Sequence, residues 1–184
     1  FSISQADTTL KGPHNLINTM AAVAAVYNAG VDVENIRKGL KTFVNAPHRL
    51  EPVGTIRGVE FVNDSKATNV DSVVYALGSY DRPLVWIAGG IDKGNDYNEL
   101  MALVREKVKA VICLGVDNKK IIDAFGNVVD IMVDVNNLND AVKTAQRLTE
   151  KGDAVLLSPA CASFDLFENY EDRGAQFKKA VKAL

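Results

Sequence analysis

The chain has 184 residues, of which 47% are hydrophobic and 24% are charged, and its formal net charge at pH 7 is -2. These values describe an ordinary globular protein with one substantial core, and they exclude the strongly basic surface that nucleic-acid binding requires. No apolar run approaches the roughly 18 to 20 residues of a membrane span, and the N-terminus carries no basic-then-apolar signal pattern. We therefore expect a cytoplasmic protein that binds neither nucleic acid nor a membrane.

Two helices are predicted at the start of the chain. The stretch HNLINTMAAVAAVYNAG carries apolar side chains at helical spacing and ends in Gly30, a common helix stop. Asp32 is a candidate N-cap for a second helix, VENIRKGLKTF, and Pro47 closes the pair. The polar lead that begins at Phe1 is typical of the interior of a longer protein, so we expect the chain to be a fragment.

From Arg49 onward, apolar residues recur at every second position instead of at helical spacing. The stretch RLEPVGTIRGVEFVND predicts a strand, a turn at Arg57 and Gly58, and a second strand. We therefore predict two structural pieces, residues 1–50 and residues 51–184.

Strands and helices then alternate to the end of the chain. The predicted strands are PLVWIAG, AVICLG, VVDIMV and AVLLSPA, and the last helix ends near Ala183. Such apolar strands, separated by amphipathic helices, favour a mostly parallel sheet that helices cover on both faces. The predicted fold class is α/β, a doubly wound Rossmann-like sheet preceded by a helical stub. Cys113 and Cys161 fall in these apolar stretches and are expected to be buried, reduced thiols.

In a sheet of this kind, ligands bind beyond the carboxyl ends of the strands, and three segments in that position are unusual. The first, FVNDSKATN, places six hydrogen-bonding side chains directly before a helix. Thr68 or Asn69 is a candidate N-cap for that helix, but a cap needs only one such residue. The segment is therefore either a capped turn or a binding surface.

The second segment, WIAGGIDKGNDY, surrounds Lys93 with glycines. Glycines allow close approach of a ligand to the backbone, and one cation at a strand end is a plausible carboxylate or phosphate site. The segment matches neither the Walker A pattern nor G-x-G-x-x-G, so the loop alone is weak evidence of binding.

The third segment, SPACASFDLFENYEDRG, follows the last strand. Ser163 is predicted to cap a helix that starts with FDLFENY, and the free N–H groups of a helix start attract an anion. In the alternative, Ser163 only caps its own helix, while Phe164, Phe167 and Tyr170 pack in the core at helical spacing.

Other kinds of chemistry find little support. ACAS is not the G-x-S-x-G elbow of a nucleophilic serine, and no His, Cys and carboxylate set has the spacing of a metal site. We therefore expect no metal-ligating residues in this chain. The only histidines, His14 and His48, precede the predicted sheet, and His48 has either a hinge or phosphate role beside Arg49 or a packing role.

Five motifs resemble the C-terminal part of the Mur ligase family, and most closely that of its D-glutamate-adding members. They are HNLIN, APHRLE, NDSKATN, GGIDKG and LSPACASFDLFENYEDRG, and they run in family order across nearly the whole chain. NDSKATN together with SPACASFD is specific, whereas parts of the first two motifs are shared with folylpolyglutamate synthetases. The resemblance implies that residues 1–50 are the last helices of a central ATP-binding domain and that residues 51–184 are the amino-acid-binding domain.

The resemblance further implies an ATP-dependent amide ligase of peptidoglycan synthesis, a monomer that uses ATP and Mg²⁺. ATP would phosphorylate the carboxylate of UDP-N-acetylmuramoyl-L-alanine, and the amine of D-glutamate would attack the acyl phosphate. The C-terminal domain would hold the amino acid and close over ATP, excluding water that hydrolyses the acyl phosphate. A Walker A loop, the family's carbamylated lysine and its main magnesium ligands are missing from the sequence, so we expect this chain to be inactive alone.

Four residues are implied by the resemblance to contact ATP. Asn18, with Asn15 as a weaker candidate, would lie near the adenine. Arg49 would reach the phosphates, and Asp64 would accept a hydrogen bond from the ribose.

The residues that the resemblance assigns to D-glutamate are Lys66, Thr68, Lys93, Ser163, Phe164 and Tyr170. Lys66 and Lys93 are the candidate catalytic residues, with Lys93 paired to one carboxylate. Ser163 and the following backbone N–H would donate to the other carboxylate. At Tyr170 the family often has phenylalanine, so the added hydroxyl needs a partner.

Two alternatives remain open from the sequence. Within the same class, the chain could come from another Mur ligase or a folylpolyglutamate synthetase-like ligase, which should carry a different loop after the last strand. In another class, it could be a non-catalytic doubly wound binding module of the receiver type. A receiver needs an acidic cluster at a strand end, where this chain has Asp64 and, two residues later, Lys66.

Overall fold

The computed structural model describes residues 2–10 and 13–184. The chain divides into two compact units between Ala46 and Pro47, near the predicted boundary between residues 50 and 51. Phe1, Lys11 and Gly12, which fall within the first predicted piece, lie outside the described residues, as does the side chain of His14 in the HNLIN motif. The origin of the first unit as part of an ATP-binding domain stays a prediction.

The first unit contains the predicted helix pair, α1 (Pro13–Asn28) and α2 (Val33–Thr42). The Asp32 carboxylate accepts a hydrogen bond from the Glu34 N–H at 3.0 Å, which confirms the predicted N-cap. The N-terminal segment is tied to α2, because the Thr9 N–H donates to the Leu40 carbonyl at 3.1 Å.

The second unit is built on one six-stranded sheet. Its strands are β1 (Glu51–Ile56), β2 (Val59–Asn63), β3 (Leu84–Gly89), β4 (Val108–Leu114), β5 (Ile131–Val135) and β6 (Ala154–Ala160). Their order across the sheet is β1-β2-β6-β3-β4-β5, and every neighbouring pair is parallel except β1 and β2. The turn between β1 and β2 is at Arg57 and Gly58, which both have positive φ, as a two-residue hairpin with matching twist requires.

Helices cover both faces of this sheet, as predicted. They are α3 (Val70–Gly78), α4 (Met101–Lys107), α5 (Lys119–Phe125), α6 (Leu138–Leu148) and α7 (Tyr170–Lys182). The apolar residues of α3, α4 and α5 share one buried cluster, and those of α6 and α7 share the other. The strands lie between the two clusters, and β3 and β6 are buried along their whole length. Among the helices that the structure describes, none has both the length and the apolar character needed to cross a bilayer.

The fifth strand differs from its prediction, which began at Val128. The N–H groups of Val128 and Val129 donate to the Phe125 carbonyl at 2.9 and 3.2 Å, so these residues close helix α5. The strand starts only at Ile131 and continues to Val135. Two adjacent valines favour a strand locally, but their hydrogen bonds to the Phe125 carbonyl hold them in a turn.

Candidate functional site

The three unusual loops lie at the carboxyl ends of adjacent strands. Strand β6 lies between β2 and β3, and all three are parallel, so their ends meet at one edge of the sheet. The loops after β3 and β6 are also joined directly. Ile91 and Ala162 exchange backbone hydrogen bonds of 2.8 and 3.1 Å in an isolated antiparallel bridge.

A buried arginine of helix α7 connects all three strand ends. The side chain of Arg173 is 1% exposed and donates to the Ser65 hydroxyl at 3.0 Å and the Ser65 carbonyl at 2.9 Å. It also donates to the carbonyls of Cys161 at 3.2 Å and Gly89 at 3.5 Å. Burial lowers the pKa of Arg173 to about 10, which leaves the guanidinium charged at neutral pH.

Sequence reasoning missed Arg173. It belongs to the run YEDRGAQFKK, which has the charged composition of a solvated helix face. The only local signal is the neighbouring Gly174, whose missing side chain leaves room for His48. A Cβ atom on Gly174 would lie 2.8 Å from His48 Cε1 and closer still to Nδ1.

The predicted residue Lys66 lies against Tyr170. Its ammonium donates to the Tyr170 hydroxyl at 2.9 Å and lies 4.4 Å from the centre of the ring. The Tyr170 carbonyl accepts from the Ser65 hydroxyl at 2.7 Å, which holds the start of α7 against the loop after β2. The added hydroxyl at Tyr170 therefore finds its partner in Lys66. Thr68 is half-buried in the same loop, next to Asn69, which caps α3.

Lys93 lies in the loop after β3, which leaves the sheet through two glycines. Gly89 and Gly90 both have positive φ, and a Cβ atom on Gly90 would overlap the Ala162 carbonyl oxygen. The loop therefore needs glycine to approach the β6 loop so closely. The Lys93 side chain is exposed, and among the described residues its ammonium has no hydrogen-bond or ion-pair partner.

The prediction that Ser163 caps the last helix is wrong. Helix α7 begins at Tyr170, and its N-cap is Asn169, whose side chain accepts from the Asp172 N–H at 2.7 Å. Asp172 in turn accepts from the Glu168 N–H at 3.3 Å, so the residues form a capping-box-like pair. The spacing Asn169-x-x-Asp172 is the signal that the sequence prediction overlooked.

Ser163 instead begins a single turn, because its carbonyl accepts from the Phe167 N–H at 3.0 Å. Ser163 is 2% exposed, whereas Phe164 is 69% exposed, so the alternative in which the three aromatic residues pack in the core at helical spacing is also wrong. Phe167 is partly buried against the cluster of α6 and α7, and Tyr170 packs on Lys66. The turn directs Phe164 to solvent beside the strand ends.

Asp64 is buried beneath the loop after β2. Its carboxylate accepts from the Leu50 N–H at 3.1 Å and from the Ser158 hydroxyl at 2.9 Å. Burial raises the pKa of Asp64 to about 7, even though these hydrogen bonds and the charge of Arg49 act in the opposite direction. Arg49 itself is exposed. A ribose contact for Asp64 stays a prediction and would use the carboxylate's remaining lone pairs.

His48 packs in the floor of the site. It is 8% exposed, its Nδ1 lies 2.9 Å from the Asn63 amide nitrogen, and its ring meets Tyr170 edge-on with centroids 6.1 Å apart. Burial lowers the pKa of His48, with the charge of Lys178 acting in the same direction. The ring is therefore a neutral packing element beneath Lys66 and Tyr170 at neutral pH.

Asn15 and Asn18 lie on helix α1 of the first unit, three residues apart and thus on one face of the helix. Their predicted role at the adenine is not tested by this arrangement. Within the ranges 2–10 and 13–184, no group of three His, Cys, Asp or Glu side chains could hold a metal ion.

Residues 48–161 match the family described as "Mur ligase, glutamate ligase domain". The chain is 54% identical, over 184 residues, to UDP-N-acetylmuramoylalanine--D-glutamate ligase of Christiangramia forsetii. It is 55% identical, over 175 residues, to the enzyme of that name from Cytophaga hutchinsonii. These matches cover 100% and 95% of this chain but 41% and 39% of the relatives, so the chain spans about two fifths of their length.

Two solved structures share the fold at low sequence identity. MurF from Acinetobacter baumannii superposes with a TM-score of 0.71 at 20% identity, covering 94% of this chain and 39% of that chain. The UDP-N-acetylmuramate-alanine ligase MurC from Thermotoga maritima gives 0.70 at 16% identity, covering 95% and 39%. Both confirm the doubly wound α/β architecture.

Proposed function

The chain belongs to the Mur ligase family as its glutamate ligase domain, and we propose that it holds the incoming amino acid in an ATP-dependent amide ligase. The amino acid is D-glutamate, and the acceptor is UDP-N-acetylmuramoyl-L-alanine. The names of the relatives at 54% and 55% identity support this choice over other members of the family.

The convergence of three strand-end loops carries the proposal. D-glutamate has two carboxylates, which need separate cationic or N–H donors. The loop after β2 offers Lys66, the loop after β3 offers Lys93, and the loop after β6 offers Ser163 with the Phe164 N–H. Arg173 and the Ile91–Ala162 bridge hold these loops together.

The two lysines bind the substrate in different ways. Lys93 is exposed without a partner among the described residues, so it is available for an ion pair with the side-chain carboxylate. Lys66 is already oriented by Tyr170 and keeps two further N–H donors for a carboxylate oxygen. Thr68 lies two residues from Lys66 and adds a hydroxyl on the same loop.

The chemistry follows from holding the amine in place. The carboxylate of UDP-N-acetylmuramoyl-L-alanine takes the γ-phosphoryl group of ATP, and the D-glutamate nitrogen forms a bond to the activated carbonyl carbon. The tetrahedral intermediate then expels phosphate, and the attacking nitrogen loses one proton and keeps the other as the N–H of a neutral amide. The binding residues of this chain contribute by fixing the amine next to the carbonyl and excluding water.

The nucleotide contacts are part of the same proposal. Arg49 would contact the ATP phosphates, Asp64 the ribose, and Asn15 and Asn18 the adenine. Mg²⁺ would neutralise phosphate charge when bound, and we propose that its ligands and most of the ATP contacts belong to the part of the relatives' length that this chain does not span. The ligase would act as a monomer in the cytoplasm.

The test is the parent enzyme that contains this chain, assayed for ADP release. We expect turnover only when both UDP-N-acetylmuramoyl-L-alanine and D-glutamate are present. Lys93→Ala and Ser163→Ala should each raise KM for D-glutamate by about tenfold or more, because each removes a hydrogen bond to a charged group.

Lys143→Ala is the matched control, because Lys143 is an exposed lysine on α6, away from the strand-end loops. It should leave KM unchanged. Turnover with another amino acid but not with D-glutamate would refute the substrate assignment and favour another Mur ligase. Wild-type kinetics in both site variants would favour a binding module instead.

A further inference from the structure

The loop that carries Lys93 is organised around the carboxylate of Asp92. Asp92 Oδ1 accepts from the Gly94 N–H at 2.7 Å and from the Asn95 N–H at 3.1 Å. Lys93 lies between these residues, so the carboxylate closes a turn around its backbone. Because the Lys93 side chain has no partner among the described residues, this turn is what positions the backbone from which the lysine extends.

The same carboxylate is anchored to a neighbouring helix. Lys120 of α5 donates to Asp92 Oδ1 at 2.8 Å and to the Asn95 carbonyl at 2.7 Å. The Lys120 ammonium therefore binds both ends of the turn, at Asp92 and at Asn95. Partial burial alone would raise the pKa of Asp92, but the hydrogen bonds that it accepts outweigh this effect and lower the pKa to about 2, so the carboxylate is ionised throughout the physiological range.

The network continues from Asp92 to the end of β6. Tyr97 donates to Asp92 Oδ2 at 2.8 Å, and its hydroxyl lies 3.4 Å from the Cys161 sulfur. The Asn95 amide donates to the Ala160 carbonyl at 3.1 Å. Ser163 follows two residues after Cys161, so the contacts of Asp92 join the loop of Lys93 to the loop of Ser163.

We infer that Asp92 and Lys120 are positioning residues that fix the distance between Lys93 and Ser163 and thereby select the length of the dicarboxylate substrate. The inference rests on the proposed function, in which Lys93 binds one carboxylate of the substrate and Ser163 binds the other. A loop that can shift lets its lysine reach shorter and longer substrates alike, whereas a loop held in one place favours a single spacing. Neither residue needs to touch the substrate.

The experiment measures kcat and KM of the parent enzyme with D-glutamate, D-aspartate and D-2-aminoadipate, which differ only in chain length. In Lys120→Ala and Asp92→Asn, we expect KM for D-glutamate to rise about tenfold with little change in kcat, because the first removes both hydrogen bonds of the ammonium to the turn and the second removes the charge that pairs with it. The preference for D-glutamate over the two other acids, as a ratio of kcat/KM, should fall by a similar factor. Lys120→Arg should restore most of the preference.

Lys119→Ala provides the control on the same helix. Lys119 is exposed and pairs with Asp123 one turn later, away from the loop, so its removal should leave KM and the preference unchanged. Melting temperatures of all variants check that each enzyme is folded. If Lys120→Ala lowers the melting temperature, Lys120→Met replaces it in the assay, because methionine keeps an aliphatic side chain but has no ammonium.

Two results would overturn the inference alone. One is a Lys120→Ala enzyme whose kinetics match those of Lys119→Ala. The other is an equal loss of kcat/KM for all three acids, which indicates general damage to the loop. A wild-type enzyme that releases no ADP in response to D-glutamate would instead overturn the proposed function and this inference with it.

Discussion

Arg173 donates two hydrogen bonds to a single residue, Ser65, that lies 108 positions earlier in the chain. The guanidinium contacts both the hydroxyl and the carbonyl of Ser65, and its other N–H groups reach the ends of β3 and β6. A buried cation is expensive to desolvate, and here carbonyl and hydroxyl oxygens offset that cost. One side chain of α7 thus holds together the three loops of the candidate site.

Arg173→Met should destabilise the chain by about 3 kcal/mol or more, because it leaves several buried carbonyls without donors. The measurement is urea denaturation followed by circular dichroism. Arg105→Met changes an exposed arginine of α4 in the same way and should alter stability by less than about 0.5 kcal/mol. Equal unfolding midpoints for the two variants would contradict the structural role of Arg173.

Gly174→Ala should be destabilising although it lies within a helix. Alanine normally stabilises a helix interior by about 1 kcal/mol relative to glycine, but here its Cβ overlaps His48. We expect a net loss of about 2 kcal/mol from this overpacking. Gly78→Ala in α3, where a Cβ meets nothing within 4 Å, should be neutral or stabilising in the same thermal melts. A stable Gly174→Ala protein would show that His48 moves freely.

Asn169→Ala should cost about 1 kcal/mol, because it removes the side-chain cap of α7. Replacement by aspartate should retain most of that stability, since a carboxylate also accepts from the Asp172 N–H and favours the helix N-terminus. Both values come from denaturant titration. If Ser163→Ala loses helical signal at α7 while Asn169→Ala does not, the assignment of the cap is wrong.

Asp64 should make stability depend on pH. Its folded pKa is raised from an ordinary value of 3.8 to about 7, so the fold favours the protonated form. The stabilisation is complete below about pH 4 and is lost as the pH rises through 7. The unfolding free energy of the wild type should therefore fall between pH 4 and 8, and that of Asp64→Asn should fall less. The difference between the two falls should be a few kcal/mol, at about 1.4 kcal/mol per pKa unit.

Unfolding free energies at several pH values provide the measurement for Asp64. Asp130→Asn, at an exposed carboxylate, is the control and should retain the wild-type slope. An unchanged slope in Asp64→Asn would mean that the hydrogen bonds from Leu50 and Ser158 keep the carboxylate ionised at all these values.

Local sequence patterns were enough to predict the α/β class and the three loops at the strand ends. Each of these depends on local periodicity or on short motifs, since apolar side chains repeat every two residues in a strand and about every 3.6 in a helix. The N-caps Asp32 and Asn69 were predictable for the same reason, because a cap contacts an N–H only two or three residues away.

Which polar residues meet depends on contacts between distant parts of the chain. The sequence around Arg173 is typical of an exposed helix face. Its burial becomes evident only from its contacts with the loops that follow β2, β3 and β6. The partner of the Tyr170 hydroxyl lies 104 positions away in Lys66, and Asp92 is linked to Lys120 over 28 positions. Contacts of this kind depend on the order of strands across the sheet, which brings β6 between β2 and β3, and no local pattern encodes that order.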